Sequence, residues 1–299
     1  MILGCDVSHW NGLGNWQIAK ERGVRFAYIR AGSINAVTAV CYEDTLLSEH
    51  IRDVSAAGIP FGVYWYMRPR FSGSVQGEYL HNLIRTGVGD NQFHCLPVCI
   101  DVEESGSSST QAAESIEDML GMLSFYQYRT MIYARQSHYD ANVAPSPIIA
   151  KCDLWAARWS SALTSPWSDG KHQFRDWSDF RLWQHSADGN ALATTYGFPG
   201  HPFGDNDLDL NYFNGDEAAF NTWVGIIPAS SEPPTAQHVT VTVPASSYLN
   251  VRNGPGAGFS DVGDLKAGVR FSILAHSGVW VRIGDNAWIC TGPNLAVIE

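Results

Sequence analysis

The chain has 299 residues, of which 45% are hydrophobic and 16% charged, a balance typical of a globular protein with room for one large and one small domain. No apolar run approaches the roughly 18 residues that a membrane-spanning helix needs. The net charge is −11 and the basic residues form no stripe, which argues against nucleic acid and against an anionic membrane surface as partners.

Short apolar strands alternate with helices through the first part of the chain. The pattern predicts strands at 2–8, 24–29, 60–66, 96–104, 130–134, 152–156 and 180–185. It predicts helices at 16–22, 42–57, 74–85 and 111–123. Strands alternating with helices indicate parallel βαβ units, and this many of them in about 220 residues predict a (β/α) barrel. Because the later strands have less helix between them, we expect an irregular barrel.

The segment 96–104 begins as a buried apolar strand and ends in carboxylates. Side chains alternate along a strand, so Asp101 and Glu103 lie on one side and Val102 on the other. Two neighbouring carboxyl groups push their pKa values apart, so that one stays protonated while the other is charged. General acid catalysis near neutral pH needs such a pair. For an isolated Asp-x-Glu, the start of a solvated loop is the commoner interpretation.

Several other predicted strands end in polar or aromatic residues, where a barrel of this kind carries its chemistry. These residues are Asp6, Arg30, Tyr64 and Trp183. A second acidic segment, 205–211, alternates acidic or amide residues with leucines, which predicts a half-buried strand that contains Asp209. It lacks the glycine and terminal glutamate of a calcium loop. We therefore predict no metal site and no cofactor.

The N-terminus lacks a basic region followed by an apolar core, so we expect no secretory signal. The six cysteines follow no framework spacing, and in a chain made in the cytoplasm they are expected to be free thiols.

The composition changes at residue 226. Residues 226–236 are rich in proline, serine and alanine, which predicts a linker. Short alternating segments follow, at 239–243 and 249–252, and later ones surround Phe271, Val279 and Trp288. This spacing predicts a small all-β barrel over 237–299. That region holds 4 basic and 4 acidic residues, so any surface that it binds must be recognised by shaped pockets rather than by net charge.

Five segments taken together resemble glycoside hydrolase family 25, the Chalaropsis-type lysozymes. They are GCDVSHWNG at 4–12, GVYWY at 62–66, IDVE at 100–103, LWQ at 182–184 and LDLNYFNG at 208–215. Two departures are Tyr66, where the family usually has phenylalanine, and Cys5, where isoleucine is common. LNVRNGP at 249–255 and GVWVR at 278–282 resemble a bacterial SH3 domain.

The resemblance implies an enzyme that cleaves the β-1,4 bond from N-acetylmuramic acid to N-acetylglucosamine in peptidoglycan. It implies catalytic roles for Asp6, Asp101, Glu103 and Asp209, with Glu103 as the general acid. It also implies that Tyr64 lines the site. We expect Tyr66, Arg30, Trp183 and Tyr133 to contribute to substrate binding as well. In the SH3-like domain, Tyr248 and Trp280 are candidate contacts to the cell wall.

The resemblance also implies a domain organisation: a muramidase domain over 1–225, a linker over 226–236 and a wall-binding domain over 237–299. We expect a monomeric phage or prophage endolysin, made in the host cytoplasm without a signal peptide and acting on the wall after release. A bacterial autolysin exported by another route is the alternative origin.

Two other functions remain open from the sequence. An N-acetylglucosaminidase or chitinase could carry the same Asp-x-Glu on a barrel. An inactive wall-binding protein is the second alternative, although intact Asp6, Asp101 and Glu103 speak against it. The mechanism is open too. The backbones of Asp101 and Glu103 are about 7 Å apart on one side of the strand, so both carboxyl groups would reach the sugar from the same side. Such a pair suits a mechanism in which the substrate's own acetamido group is the nucleophile. In the rival mechanism Asp6 is the nucleophile, or the base that activates water.

Overall fold

We describe a computed structural model of the chain. It covers residues 1–89, 91, 94–160, 163–171, 173–187, 190–200, 206–225, 238–277, 279–284, 286–292 and 295–298. The chain divides into two compact units, Met1–Ile226 and Ile227–Glu299. The predicted linker over 226–236 lies outside the described residues. All six cysteines have free thiols.

The N-terminal unit contains nine strands and six α-helices in its described part. The strands are β1 Ile2–Val7, β2 Phe26–Ile34, β3 Cys41–Glu43, β4 Phe61–Tyr66, β5 Val98–Asp101, β6 Thr130–Arg135, β7 Asp153–Ala157, β8 Leu182–Ser186 and β9 Asp209–Phe213. The helices are α1 Trp16–Glu21, α2 Leu47–Ala56, α3 Gly73–Leu83, α4 Ser109–Phe125, α5 Gln136–Asn142 and α6 Glu217–Trp223. No helix in the described ranges is both long and apolar enough to cross a membrane.

Eight of these strands close into a barrel, which confirms the predicted architecture. Their order around the barrel is β1, β2, β4, β5, β6, β7, β8 and β9, with β9 pairing back to β1. Along this order the seven strands from β1 to β8 pair in parallel with one another, whereas β9 is antiparallel to both of its neighbours. A parallel neighbour needs a long crossover, usually a helix. The described part of the β8–β9 connection has only the short 3₁₀ helix Ala193–Tyr196, and β9 returns antiparallel.

The prediction of one helix over 42–57 was wrong at its beginning. Residues 41–43 form strand β3, which pairs antiparallel with the end of β2, Ser33 opposite Tyr42. Helix α2 begins only at Leu47, after Asp44 has accepted a hydrogen bond from the Leu46 backbone N–H. Pairing with a distant strand therefore outweighs the local helical pattern at these residues.

Alternate residues of the barrel strands enter two different apolar layers. Outward-facing side chains pack against the helices, among them Ile29, Val63, Ile100 and Ile132. Inward-facing side chains fill the barrel, among them Tyr28, Cys99, Met131, Trp155 and Leu182. Gly62 also faces inward, where a Cβ would lie 2.6 Å from the Tyr28 ring. This double burial explains why the strands appear in the sequence as nearly continuous apolar runs.

Helix α6 closes the end of the barrel at which the parallel strands begin. Phe220 packs against Phe26 with ring centroids 5.9 Å apart, and Trp223 packs against Phe213 at 5.1 Å. Burying an aromatic side chain of this size contributes roughly 1.5–3 kcal/mol. Because apolar side chains fill this end, a polar cavity can form only at the other end, where the parallel strands finish.

The C-terminal unit is all-β in its described part, as predicted. Its strands are β10 His238–Val241, β11 Leu249–Arg252, β12 Asp261–Leu265, β13 Arg270–Ser272, β14 Ala275–Ser277, β15 Trp280–Gly284, β16 Ala287–Cys290 and β17 Ala296–Ile298. They form a sheet in the order β13-β10-β17 and another in the order β12-β11-β16-β15-β14. Val239, Val241, Val281 and Ile289 lie in the core of this unit.

Candidate active site

Four carboxyl groups meet at the open end of the barrel. Asp6 comes from the end of β1, Asp101 from the end of β5, and Glu103 from just after β5. Asp209 begins β9, which reaches the same end because that strand runs the opposite way. These residues line a pocket of about 70 Å³, the acid pocket, together with Tyr64, Tyr133, Trp155 and Gln184.

Asp6 and Asp209 are direct partners in the β1–β9 ladder. The Gln184 Nε2 group donates to Asp6 Oδ1 at 3.0 Å and to Asp209 Oδ2 at 3.3 Å. Asn211 Nδ2 also donates to Asp6 Oδ1, at 2.8 Å. Burial raises the pKa of Asp6 to about 6, against hydrogen bonds from Asn211, Gln184 and Asp209 that lower it. Asp6 therefore changes charge in the mildly acidic range.

Aromatic side chains hold the two amide groups in one orientation. Gln184 Oε1 accepts hydrogen bonds from the Tyr133 hydroxyl at 2.8 Å and from Trp159 Nε1 at 2.9 Å. Asn211 Oδ1 accepts from Trp155 Nε1 at 2.8 Å. Since both amide oxygens already accept hydrogen bonds, both amide nitrogens point at the carboxylates.

Asp101 and Glu103 lie at different depths. Asp101 is buried and Glu103 is exposed. Val102 between them faces outward and packs in the apolar layer between the barrel and its helices, the outer core, as alternation predicts. Burial, and secondly the charge of Glu103, raises the pKa of Asp101 well above the ordinary carboxyl range, although Arg30 opposes this. Within the described residues, Asp101 Oδ1 is buried without a hydrogen-bond partner. It is an acceptor available to an N–H group of a ligand.

A groove extends from the acid pocket over the ends of β1 and β2. It consists of two pockets, of about 360 and 430 Å³, which share Trp10, Arg30 and Tyr66. The Tyr66 ring has the Arg30 guanidinium 5.2 Å and the Arg68 guanidinium 5.3 Å from its centroid. Burial and the charge of Glu103 raise the pKa of Tyr66 to about 12, so its hydroxyl remains a hydrogen-bond donor at neutral pH.

Comparison with known proteins identifies the family. Residues 5–193 match the sequence profile of Glycosyl hydrolases family 25. The chain belongs to glycosyl hydrolase family 25. Residues 247–292 match the bacterial SH3 domain, which confirms the second resemblance. The family 25 chain is therefore a glycoside hydrolase, a peptidoglycan hydrolase of the lysozyme type.

Individual relatives agree with this assignment. The family 25 chain is 31% identical over 231 residues to lysozyme M1 of Streptomyces globisporus, which covers 73% of this chain and 69% of that protein. A bacterial lysozyme structure from Streptomyces coelicolor is 27% identical, with a TM-score of 0.57, over 75% of this chain and 96% of that one. The spore cortex lytic enzyme SleM of Clostridium perfringens shares the fold, with a TM-score of 0.60 at 16% identity, over 100% of this chain and 96% of that one.

Most of the residues predicted for the site of this family 25 enzyme lie together. The acid pocket contains Asp6, Asp101, Glu103, Asp209, Tyr64 and Tyr133. Arg30 and Tyr66 line the adjoining groove. Trp183 does not line either pocket: it is buried in the outer core, and its Nε1 donates to the Arg158 carbonyl at 2.8 Å. Because strand residues alternate, it is Gln184, the next residue, that faces the barrel.

Three further site residues were not predicted from the sequence: Gln184, Asn211 and Trp155. The signal for Gln184 was present, since it lies two positions from the inward-facing Leu182. Asn211 likewise lies two positions from Asp209. In the described part of the chain, no group of three or more His, Cys, Asp or Glu side chains is arranged to hold a metal ion.

The two candidate wall contacts of the SH3 unit differ in exposure. Tyr248 is 55% exposed, with Lys266 Nζ lying 5.6 Å from its ring centroid. Trp280 is half-buried at the beginning of β15. Binding to the wall by either residue stays a prediction.

Proposed function

We propose that this family 25 enzyme is an N-acetylmuramidase that cleaves the β-1,4 bond between N-acetylmuramic acid and N-acetylglucosamine, with Glu103 as the general acid. The observation that carries the proposal is the position of Glu103, which lines both the acid pocket and the adjoining groove. A glycosidic oxygen at the junction of the two cavities lies within reach of this carboxyl group, with the buried Asp101 beside it.

The proton for this step comes from the pair that Asp101 forms with Glu103. Each negative charge favours the proton on the other group, so the pair retains one proton at a pH at which isolated carboxyls are ionised. In the free enzyme, burial favours the proton on Asp101. An N–H group that reaches Asp101 Oδ1 favours the charged form of Asp101, and the proton is then held by Glu103.

The substrate's acetamido group supplies that N–H and then acts as the nucleophile. Its oxygen forms a bond to the anomeric carbon while the bond to the leaving oxygen breaks and Glu103 donates its proton to that oxygen. Water then opens the cyclic intermediate and gives a proton to the Glu103 carboxylate, which restores the acid, and the configuration at the anomeric carbon is retained. Asp6 is the rival, either as a direct nucleophile or as the base that activates water, because it lines the same pocket.

We further propose that the enzyme acts as an endolysin, with residues 1–225 as the catalytic domain, 226–236 as the linker and 237–299 as the wall-binding domain. The match to a bacterial SH3 domain beside the family 25 domain supports this organisation. The C-terminal domain then keeps the enzyme on the wall while the catalytic domain cleaves successive bonds.

The experiment is digestion of purified insoluble peptidoglycan, followed by borohydride reduction of the newly formed sugar ends. Muramicitol among the hydrolysed products supports the muramidase. Glucosaminitol instead indicates an N-acetylglucosaminidase, and the absence of reduced sugars indicates an inactive wall-binding protein. The Glu103→Gln protein, treated identically, provides the background.

A further inference from the structure

A second cavity lies at the open end of the barrel, beside the acid pocket. This side pocket, of about 270 Å³, is formed where β6 and β7 end. Its walls include Arg135, Ala157, Trp159, Pro166, Trp167 and Phe174. The mechanism described above uses none of these residues.

The side pocket lies across the barrel from the groove. Counted around the barrel, β6 and β7 are four positions away from β1 and β2, on which the groove lies. Trp159 joins the side pocket to the acid pocket, because its Nε1 donates to Gln184 Oε1 at 2.9 Å. The side pocket is therefore open to a part of the substrate that extends past the acid pocket on the side away from the groove.

The side pocket combines apolar walls with polar side chains and two cations, Arg135 and Arg158. Trp159 is 42% exposed, and the Arg135 guanidinium lies 4.5 Å from its ring centroid. Arg158 is neutralised by Asp169, at 2.6 and 2.8 Å. Arg135 is exposed, and no carboxylate within the described ranges pairs with it. A cation without a carboxylate partner beside apolar walls favours a ligand that carries both a carboxylate and alkyl groups.

We propose that the side pocket binds the peptide stem of a muramic acid unit. A carboxylate of the stem pairs with Arg135, and its small alkyl groups pack on the apolar walls. Arginine suits this role because its planar donors match a carboxylate and it stacks on aromatic rings. The inference rests on the proposed muramidase function and deepens it, since it makes the peptide part of what the enzyme recognises.

The test compares two substrates, soluble glycan strands with their stems and the same strands after an amidase has removed the stems. The measured quantity is the ratio of kcat/KM on stem-bearing strands to kcat/KM on stripped strands. Arg135→Gln should lower this ratio at least about tenfold, since a hydrogen bond to a charged group contributes roughly 1.5–3 kcal/mol. Arg22→Gln is the matched control, because Arg22 is exposed at the end of α1, before β2 begins, and the ratio should not change.

Two results would overturn the inference. An equal loss on both substrates would mean that the pocket binds the glycan itself, and an unchanged ratio without any loss would mean that the substrate does not enter it. Inactivity of the wild-type enzyme on both substrates would refute the muramidase function itself. Thermal unfolding of Arg135→Gln should match the wild type, because this side chain is exposed.

Discussion

Asp6 and Asp209 lie directly opposite each other on the antiparallel strands β1 and β9, and the Gln184 amide donates a hydrogen bond to each of them. Two carboxyl groups in this position stabilise one shared proton. Burial raises the pKa of Asp6, and the hydrogen bond with Asp209 opposes this by lowering it. The free energy of unfolding therefore depends on pH through this pair at the open end of the barrel.

Asp6→Asn should stabilise the protein at neutral pH while lowering its activity. The pKa of Asp6 is about 6 in the folded state against 3.8 for an unperturbed group, so the protonated form is the one that folding favours. This stabilisation, on the order of 2–3 kcal/mol, is complete below about pH 3.8 and is lost as the pH rises through 6. The difference in free energy of unfolding between variant and wild type should therefore grow from pH 4 to pH 8. A difference that shrinks over this range would contradict the assigned direction.

Glu103→Gln should lower kcat by about 10²–10⁴-fold while leaving folding and wall binding unchanged, because it removes the proton donor. Turbidity loss of purified wall measures the activity, and co-sedimentation with the wall measures binding. Glu114→Gln is the control, since Glu114 is exposed on α4. Glu104 is unsuitable as a control because its carboxylate pairs with Arg68, which stacks on Tyr66. Near-normal turnover of Glu103→Gln would remove Glu103 from the mechanism.

Gln184→Met should lower kcat more than it raises KM, because Gln184 positions Asp6 and Asp209. The substitution also leaves the buried Tyr133 hydroxyl without its acceptor, at a cost of about 1–3 kcal/mol, whereas the partly exposed Trp159 indole N–H can turn to water. Steady-state kinetics and thermal unfolding separate the two effects. Gln184→Glu restores an acceptor but adds a third carboxyl group beside the pair, so it should recover stability at low pH without recovering activity. Full activity in either variant would contradict the positioning role.

Wall whose muramic acid has lost its N-acetyl group tests the mechanism. Acetamido assistance predicts that turnover collapses on this substrate and that products from normal wall show retained configuration. Inversion, measured by NMR, would instead support Asp6 as general base. Retention with full activity on deacetylated wall would make Asp6 the nucleophile. Measuring KM together with kcat distinguishes slower chemistry from weaker binding.

Removal of residues 237–299 should leave a folded enzyme that attaches more weakly to whole cells. The N-terminal unit has its own apolar core, so it does not need the SH3 unit to fold. Because the removed region holds 4 basic and 4 acidic residues, attachment of the full chain should persist when salt is raised from about 0.15 to about 1 M. Sedimentation with cells at both concentrations measures this. Release of the full chain by salt alone would show that exposed charge pairs govern the attachment.

The sequence by itself determined the features that depend on local alternation. The period of two along 96–104 placed Asp101 and Glu103 on one side of a strand end, and the same period identified the polar side of β9. The succession of strands and helices predicted the barrel, and the change of pattern after residue 226 predicted the all-β unit. Each of these features depends only on residues that are close together in the sequence, so a local pattern is enough to predict it.

Only the tertiary structure decided which strands became neighbours. The hydrogen bonds from Gln184 and Asn211 to Asp6 join residues 178 and 205 positions apart. The reversal of β9 brings Asp209 beside Asp6, and the strand register turns Gln184 inward and Trp183 outward. Strand order and register result from backbone pairing and burial between distant segments, for which a single local segment carries no signal. For the same reason the contact of Arg135 with Trp159 could be seen only in the folded barrel.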